Sequence, residues 1–266
     1  MGALSFSVRT LPFAPVAGTR AVDCAPGLCK VWEAPLAAHR GEAICCRAEW
    51  GSTDPDLWQA ILSSQERKYW GETRAVEKRR REWLLGRAVA KDAVRRLIAR
   101  HVGAELEPAD IEIVPDAYGC PHARGPWSSE LRVHPAISIA HSEGTAVALA
   151  VLEQGMVAGI DLESVNRRRE TFETVAFSAG ERGLLDRIPE DLRQEWALRM
   201  WCAKEAVGKA LGRGLSAGLL TFRIPEIETH TGSVPVEWQE ATFVTATARE
   251  AGFVFATIIC ERRAVR

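Results

Sequence analysis

The sequence predicts an α+β protein made of two similar α+β lobes related by a pseudo-two-fold axis, with the site in the cleft between them. Three observations predict this. An order of long helix, short strand and apolar hairpin occurs twice. Ala90-Lys91-Asp92-Ala93-Val94 parallels Ala203-Lys204-Glu205-Ala206-Val207, and the run from Ile137 to Val151 lies without gaps on Val244 to Ile258. The lobes divide at 1–155 and 156–266, and a cleft between two such halves is the natural place for a ligand.

Each element follows from its periodicity. Met1 to Glu66 is the least readable stretch; its prolines, glycines and short apolar runs suggest a strand or two leading into the first lobe, or a linker remnant. Glu77 to His101 carries Trp83, Leu84, Ala88, Val94, Leu97 and Ile98 at helical intervals and is a long amphipathic helix. A short strand is expected at Ile111 to Val114 and a Gly-, Pro- and Ser-rich loop over Asp116 to Pro135. Two apolar runs, Ala136 to Ala140 and Thr145 to Leu152, then turn about Glu143-Gly144 as a hairpin, and Val157 to Leu162 is a further strand. In the second half a helix is expected over Asp191 to Leu211, a strand over Leu220 to Ile224, and a hairpin over Phe243 to Ile259.

The composition excludes several functions. With 47% hydrophobic and 26% charged residues, the 266-residue chain reads as globular, and a net charge of -1 gives no field that would draw it to nucleic acid or an anionic membrane. The arginine runs lack interleaved aromatic residues, which also argues against nucleic acid. No apolar run reaches membrane-spanning length and the first residues do not read as a signal peptide, so the expected location is the cytoplasm. The seven cysteines form no C-x-x-C pair, which disfavours zinc and a disulfide framework.

Chemistry concentrates in two segments. In Gly159-Ile160-Asp161-Leu162-Glu163 a strand's alternation puts Asp161 and Glu163 on one face. Two carboxylates so close repel unless a cation joins them, and magnesium, which keeps waters and substrate phosphates, suits such a pair when a third carboxylate is added. Taken alone, D-x-E is as readily an exposed strand end. In Trp201 to Lys209 (WCAKEAVGK) helical geometry aligns Trp201, Glu205 and Lys209, with Lys204 about 100° to the side. An exposed Glu-Lys pair is the plain reading of that spacing, but Trp201 marks the face as partly buried, where an ion pair needs a further partner. The two carboxylates close the first half and Glu205 lies in the second, so a junction would collect all three.

G-I-D-x-E followed by W-x-x-K-E-A-x-x-K resembles the signature of the 4'-phosphopantetheinyl transferases, and the duplicated layout is similar to their two-lobed surfactin-activator type. The resemblance runs over about Glu77 to Phe222. It implies an enzyme that moves 4'-phosphopantetheine from coenzyme A, the co-substrate, to a serine of an acyl or peptidyl carrier domain, releasing adenosine 3',5'-bisphosphate. By the same resemblance Asp161, Glu163 and Glu205 hold Mg²⁺, with Mn²⁺ as the admissible replacement. Glu205 and Lys209 are the catalytic pair: Glu205 helps to deprotonate the carrier serine and Lys209 neutralises or protonates the departing phosphate. Lys204 contacts the coenzyme phosphates. Gly86-Arg87 with Lys91 is similar to the family's nucleotide-contacting helix.

Ile137-Ser138-Ile139-Ala140-His141-Ser142 resembles the stretch whose histidine meets the coenzyme's 3'-phosphate, so His141 and Ser142 join Arg87, Lys91 and Lys204 as coenzyme contacts. Ser138, Ala140 and Cys120, the last within Tyr118-Gly119-Cys120-Pro121, depart from the family pattern. They motivate the alternative of a catalytically degenerate module that binds coenzyme A or a carrier without turnover. Arg167-Arg168-Arg169 is either a solvated loop or a strip that steers an acidic carrier domain. The implied partners are coenzyme A and a carrier protein, with no nucleic acid and no membrane, acting on a monomer with one active site.

Overall fold

The computed structural model describes residues 20–23, 30–34, 43–50, 59–103, 105–129, 131–166, 172–214 and 218–262. They fall into two compact units, one running to Met156 and the other starting at Val157. No described helix is long and apolar enough to cross a membrane. Arg167-Arg168-Arg169 and most of the stretch before Ala43 lie outside the described residues.

In the first unit, strands β1 (Arg20–Asp23), β2 (Lys30–Ala34), β3 (Ala43–Glu49), β4 (Glu112–Pro115), β5 (Pro121–Arg124), β6 (Ala136–Ser142) and β7 (Thr145–Val151) form one sheet in the order β1-β2-β3-β7-β6-β5-β4. Helices α1 (Ser64–Glu72) and α2 (Glu77–Val102) follow β3 in the chain. Helix α2 lies on β3 and β7 because Leu84, Ala88, Val94, Leu97 and Ile98 form one apolar stripe, which meets Ile44, Cys46 and Ala48, the alternate positions of β3. It stops at Gly103, which takes the left-handed conformation with φ 69°. The β6–β7 hairpin turns at Glu143 and Gly144, both with positive φ (44° and 76°), a pair that matches the twist of the strands it joins. The expected loop over Asp116 to Pro135 is corrected: it contains β5 and a 3₁₀ turn at Pro126–Ser129. Strand β5 has only four residues and begins at a proline, so its composition reads as loop although it pairs fully with β4.

In the second unit, β8 (Met156–Ser164), β9 (Ser233–Trp238), β10 (Ala241–Glu250) and β11 (Phe253–Glu261) make a four-stranded sheet in the order β8-β11-β10-β9. Helices α3 (Phe172–Ala176) and α4 (Ala179–Leu185) precede α5 (Glu190–Ala210), which lies on β9, β10 and β11. Trp196, Met200, Ala203 and Val207 recur along α5 at intervals of four, three and four and pack with Val234, Val236, Val254 and Ala256. The strand expected over Leu220 to Ile224 is a 3₁₀ turn, Leu219–Thr221, followed by a single bridge from Arg223 to Glu237; β9 takes the sheet position instead.

Each unit thus packs a long helix on an antiparallel hairpin, and the hairpins correct the sequence alignment by one residue. Ala251-Gly252 turns as Glu143-Gly144 does (φ 47° and 80°), and Glu250 pairs with Phe253 as Ser142 pairs with Thr145. Ile137 therefore corresponds to Thr245, not to Val244. A slip of one residue exchanges the faces of a strand, and with this correction His141 and Arg249 occupy the same exposed position.

Candidate active site

From Val157 onward strand β8 belongs to the second unit, which corrects the expected junction origin of the acidic residues: Asp161, Glu163 and Glu205 all come from one unit. Gly159 sets their spacing. A Cβ atom at Gly159 would lie 1.9 Å from the carbonyl oxygen of Ala206, so β8 and α5 meet backbone to backbone. Two residues further along the same strand face is Asp161. Its Oδ1 accepts a 2.7 Å hydrogen bond from Lys209 Nζ, which also donates to the Ile160 carbonyl at 3.0 Å.

The cluster is electrostatically unbalanced. Asp161 is buried, and its Oδ2 has no hydrogen-bond partner. Burial, then the charges of Asp161 and Glu163, push the Glu205 carboxyl from its ordinary 4.5 up to about 7, with Lys209 opposing. Full burial, then the charges of the same acids and a hydrogen bond to Asp161, hold the neighbouring Cys202 thiol well above its usual value. An orphaned buried carboxylate oxygen and a carboxyl kept partly protonated by burial and like charge both fit a hard divalent cation, which would satisfy the first and relieve the second. Among the described residues no three acidic, imidazole or thiol side chains already close around a metal position. Magnesium does not require such a closed cage, because water and phosphate complete its shell.

This asymmetry carries a pH prediction. Glu205 titrates higher in the folded chain than in the unfolded one, so its ionisation opposes folding. The penalty is absent below about pH 4.5 and grows to about 3 kcal/mol above pH 7. A bound divalent cation removes the penalty and competes with the proton. Millimolar Mg²⁺ is therefore expected to raise the melting temperature by several degrees at pH 8 and by much less at pH 5.5, measured by differential scanning fluorimetry. Equal shifts at both pH values would contradict the assignment.

Lys204, expected at the coenzyme phosphates, and Lys91, expected at the nucleotide end, are corrected by the structure. Both are completely buried. Lys204 Nζ lies 2.7 Å from Glu181 Oε1 and donates to the Ala176 carbonyl at 3.2 Å, above the Phe177 ring. Lys91 Nζ is ion-paired with Glu66 and donates to the carbonyls of Ile61 (2.7 Å) and Pro108 (3.1 Å). Neither ammonium reaches solvent, and burial lowers the basicity of both against the opposing glutamates. Glu66 and Glu181 are the residues that sequence reasoning missed. The signal was present as Ser63-x-x-Glu66 and Ser178-x-x-Glu181, both of which form capping boxes.

The other expected coenzyme contacts lie in the first unit. The Arg87 guanidinium stacks over Trp83 at 4.6 Å, with Nε 3.9 Å from Glu66. His141 is exposed beside Glu82, with 3.8 Å from Nδ1 to the carboxylate, and Ser142 is buried. Tyr118 is 85% exposed, and the backbone N–H groups of Tyr118 and Cys120 both donate to Asp116.

Asp161, Glu163, Glu205 and Lys209 thus share the second unit, and the charges of the other three act on Glu205. The sequence matches the 4'-phosphopantetheinyl transferase superfamily over residues 158–257, a span that includes all four groups. It is 36% identical to a holo-[acyl-carrier-protein] synthase of Geobacillus kaustophilus over 36% of this chain and 70% of the relative. It is 34% identical to a synthase of the same description from Anoxybacillus flavithermus over 40% of this chain and 85% of the relative. The solved Chronobacterium ammoniagenes ACPS-CoA complex aligns at a TM-score of 0.31 and 25% identity, over 38% of this chain and 84% of that one, too loosely to place a ligand. The chain belongs to the 4'-phosphopantetheinyl transferase superfamily.

Proposed function

We propose that Asp161, Glu163, Glu205 and Lys209 carry the chemistry of a two-lobed transferase acting on coenzyme A. The activity is the transfer of 4'-phosphopantetheine from coenzyme A to a serine of an acyl carrier protein. The unpartnered Asp161 Oδ2 beside a Glu205 titrating near 7 is the observation that supports the site most strongly.

Asp161, Glu163 and Glu205 would hold Mg²⁺. The ion would supply charge neutralisation on the coenzyme's pyrophosphate. Glu205 accepts the proton of the carrier serine directly or through water. The serine oxygen then forms its bond to the phosphorus that bears pantetheine, and the bond from that phosphorus to the bridging oxygen breaks. Lys209 turns from Asp161 to the departing phosphate and neutralises or protonates it. A peptidyl carrier is a second acceptor of the same chemistry.

The two-lobed, single-site reading draws support from the first unit, where the corresponding helix position is Asp92. Arg95 and Arg96 each hold that carboxylate at 2.7 Å, and the alternate residues of β3 facing α2 are Cys46 and Ala48. The acidic pair of β8 has no counterpart there. This supports one site per chain. The direct test is mass spectrometry of acyl and peptidyl carrier domains after incubation with coenzyme A. A gain of one phosphopantetheine with Mg²⁺, lost on adding EDTA, is expected. An unmodified carrier at every Mg²⁺ concentration would refute the reading.

A further inference from the structure

Three donors converge on the Glu181 carboxylate in the second unit. Its Oε1 accepts from Lys204 Nζ at 2.7 Å and from the backbone N–H of Ile224 at 2.9 Å, while Oε2 accepts from the N–H of Ser178 at 2.8 Å. Lys204 adds its bond to Ala176. One buried ion pair thereby joins three places: the turn ahead of α4, the chain at Ile224 and the middle of α5. The first unit repeats it with corresponding partners. There Glu66 accepts from Lys91, from the N–H of Ile113 at 3.1 Å and from the N–H of Ser63 at 2.9 Å.

Stability alone does not account for this arrangement. Buried ion pairs commonly add little over apolar residues of the same volume, and α5 is already anchored by Trp196, Met200, Ala203 and Val207. The pair does add direction. An apolar stripe tolerates small rotations of a helix, whereas a short charged bond to a side chain fixed by backbone donors does not. Glu205 follows Lys204 directly, about 100° around the helix. At a side-chain radius of about 5–6 Å, a helix rotation of ~15° would sweep its carboxylate by about 1.5 Å. A misplacement of about 1 Å can cost ~10²-fold in rate.

We propose that Lys204 and Glu181 are positioning residues for Glu205: their ion pair sets the rotation of α5 that brings the Glu205 carboxylate to Asp161 and Glu163. The inference rests on those three residues forming the magnesium site. The test is the double variant Glu181→Gln/Lys204→Met, which removes both charges at nearly constant volume and keeps a residue competent for the capping box. Its melting temperature in EDTA is expected to stay within about 5 °C of wild type. The Mg²⁺ concentration for half-maximal rate should rise at least ~10-fold, the range typical of groups that orient metal ligands, and the Mg²⁺-induced melting shift should fall below about half. The kcat should drop ~10²-fold while the KM for the carrier stays within about twofold.

A folded double variant with wild-type Mg²⁺ dependence and kcat would overturn the proposal. So would a rate loss that only tracks the folded fraction. If the double variant does not fold, Lys204→Arg keeps the charge but changes its reach. It should fold with a ~3–10-fold higher Mg²⁺ requirement, and an unchanged requirement overturns the proposal equally. A wild-type rate indifferent to EDTA sinks the magnesium reading and this inference together. An EDTA-sensitive wild type with an unmoved variant sinks this inference alone.

Discussion

Glu205→Gln is expected to lower carrier modification by about 10³-fold or more while making the metal-free protein more stable above pH 7. The rate loss combines a lost general base, worth ~10²–10⁴-fold, with a weakened hold on the metal. The gain in stability follows from the titration of the same group. Ionised Glu205 is half-buried beside Asp161 and Glu163, so its charge opposes folding increasingly from about pH 4.5 and fully above about 7, and the neutral amide has no charge to oppose. A gain of about 1–3 kcal/mol, several degrees in melting temperature at pH 8, should vanish at pH 5, where the wild-type carboxyl is itself protonated. Steady-state rates and melts in EDTA at the two pH values check both parts. A wild-type rate, or a variant less stable than wild type at pH 8, would remove Glu205 from the site.

Gly159→Ala is expected to destabilise the second unit by about 3 kcal/mol or more and to abolish activity with it. The added methyl would stand 1.9 Å from the Ala206 carbonyl oxygen and 2.8 Å from its carbon, atoms of a helix backbone that cannot rotate aside. Relief requires β8 and α5 to separate, and these are the elements that carry Asp161 and Glu205. Gly71→Ala in α1 is the control. Nothing lies within 4 Å of its Cβ position, so alanine should be neutral or stabilise by about 0.5–1 kcal/mol. Chemical denaturation of the two variants measures the contrast, and a Gly159→Ala protein as stable as wild type would show that the close approach is not obligatory.

Much of this architecture was legible from local pattern. Helices α2 and α5 were read to within a residue because each repeats its apolar stripe over many turns. The β6–β7 turn was legible because Glu143-Gly144 suits a tight turn of positive φ. Strand β5 was not legible: a four-residue strand beginning at a proline has no local signature, and its assignment depends on pairing with β4. The same holds for the membership of β8, which follows β7 directly in the chain but lies in the other sheet, beside β11.

Sequence alone singled out the groups of the proposed acidic centre, because strand alternation aligns Asp161 with Glu163 and helical spacing aligns Glu205 with Lys209. It could not determine where Lys204 points. Adjacent residues on a helix differ by a fixed angle, but which of them turns into the protein depends on what packs against that side. Glu181, held by Ser178 and Ile224, meets Lys204 there and turns a lysine that reads as a phosphate contact into a buried strut. The tertiary structure also decided that Asp161, Glu163 and Glu205 share one unit, since only the pairing of β8 with β11 and the bare Cα of Gly159 bring that strand against α5.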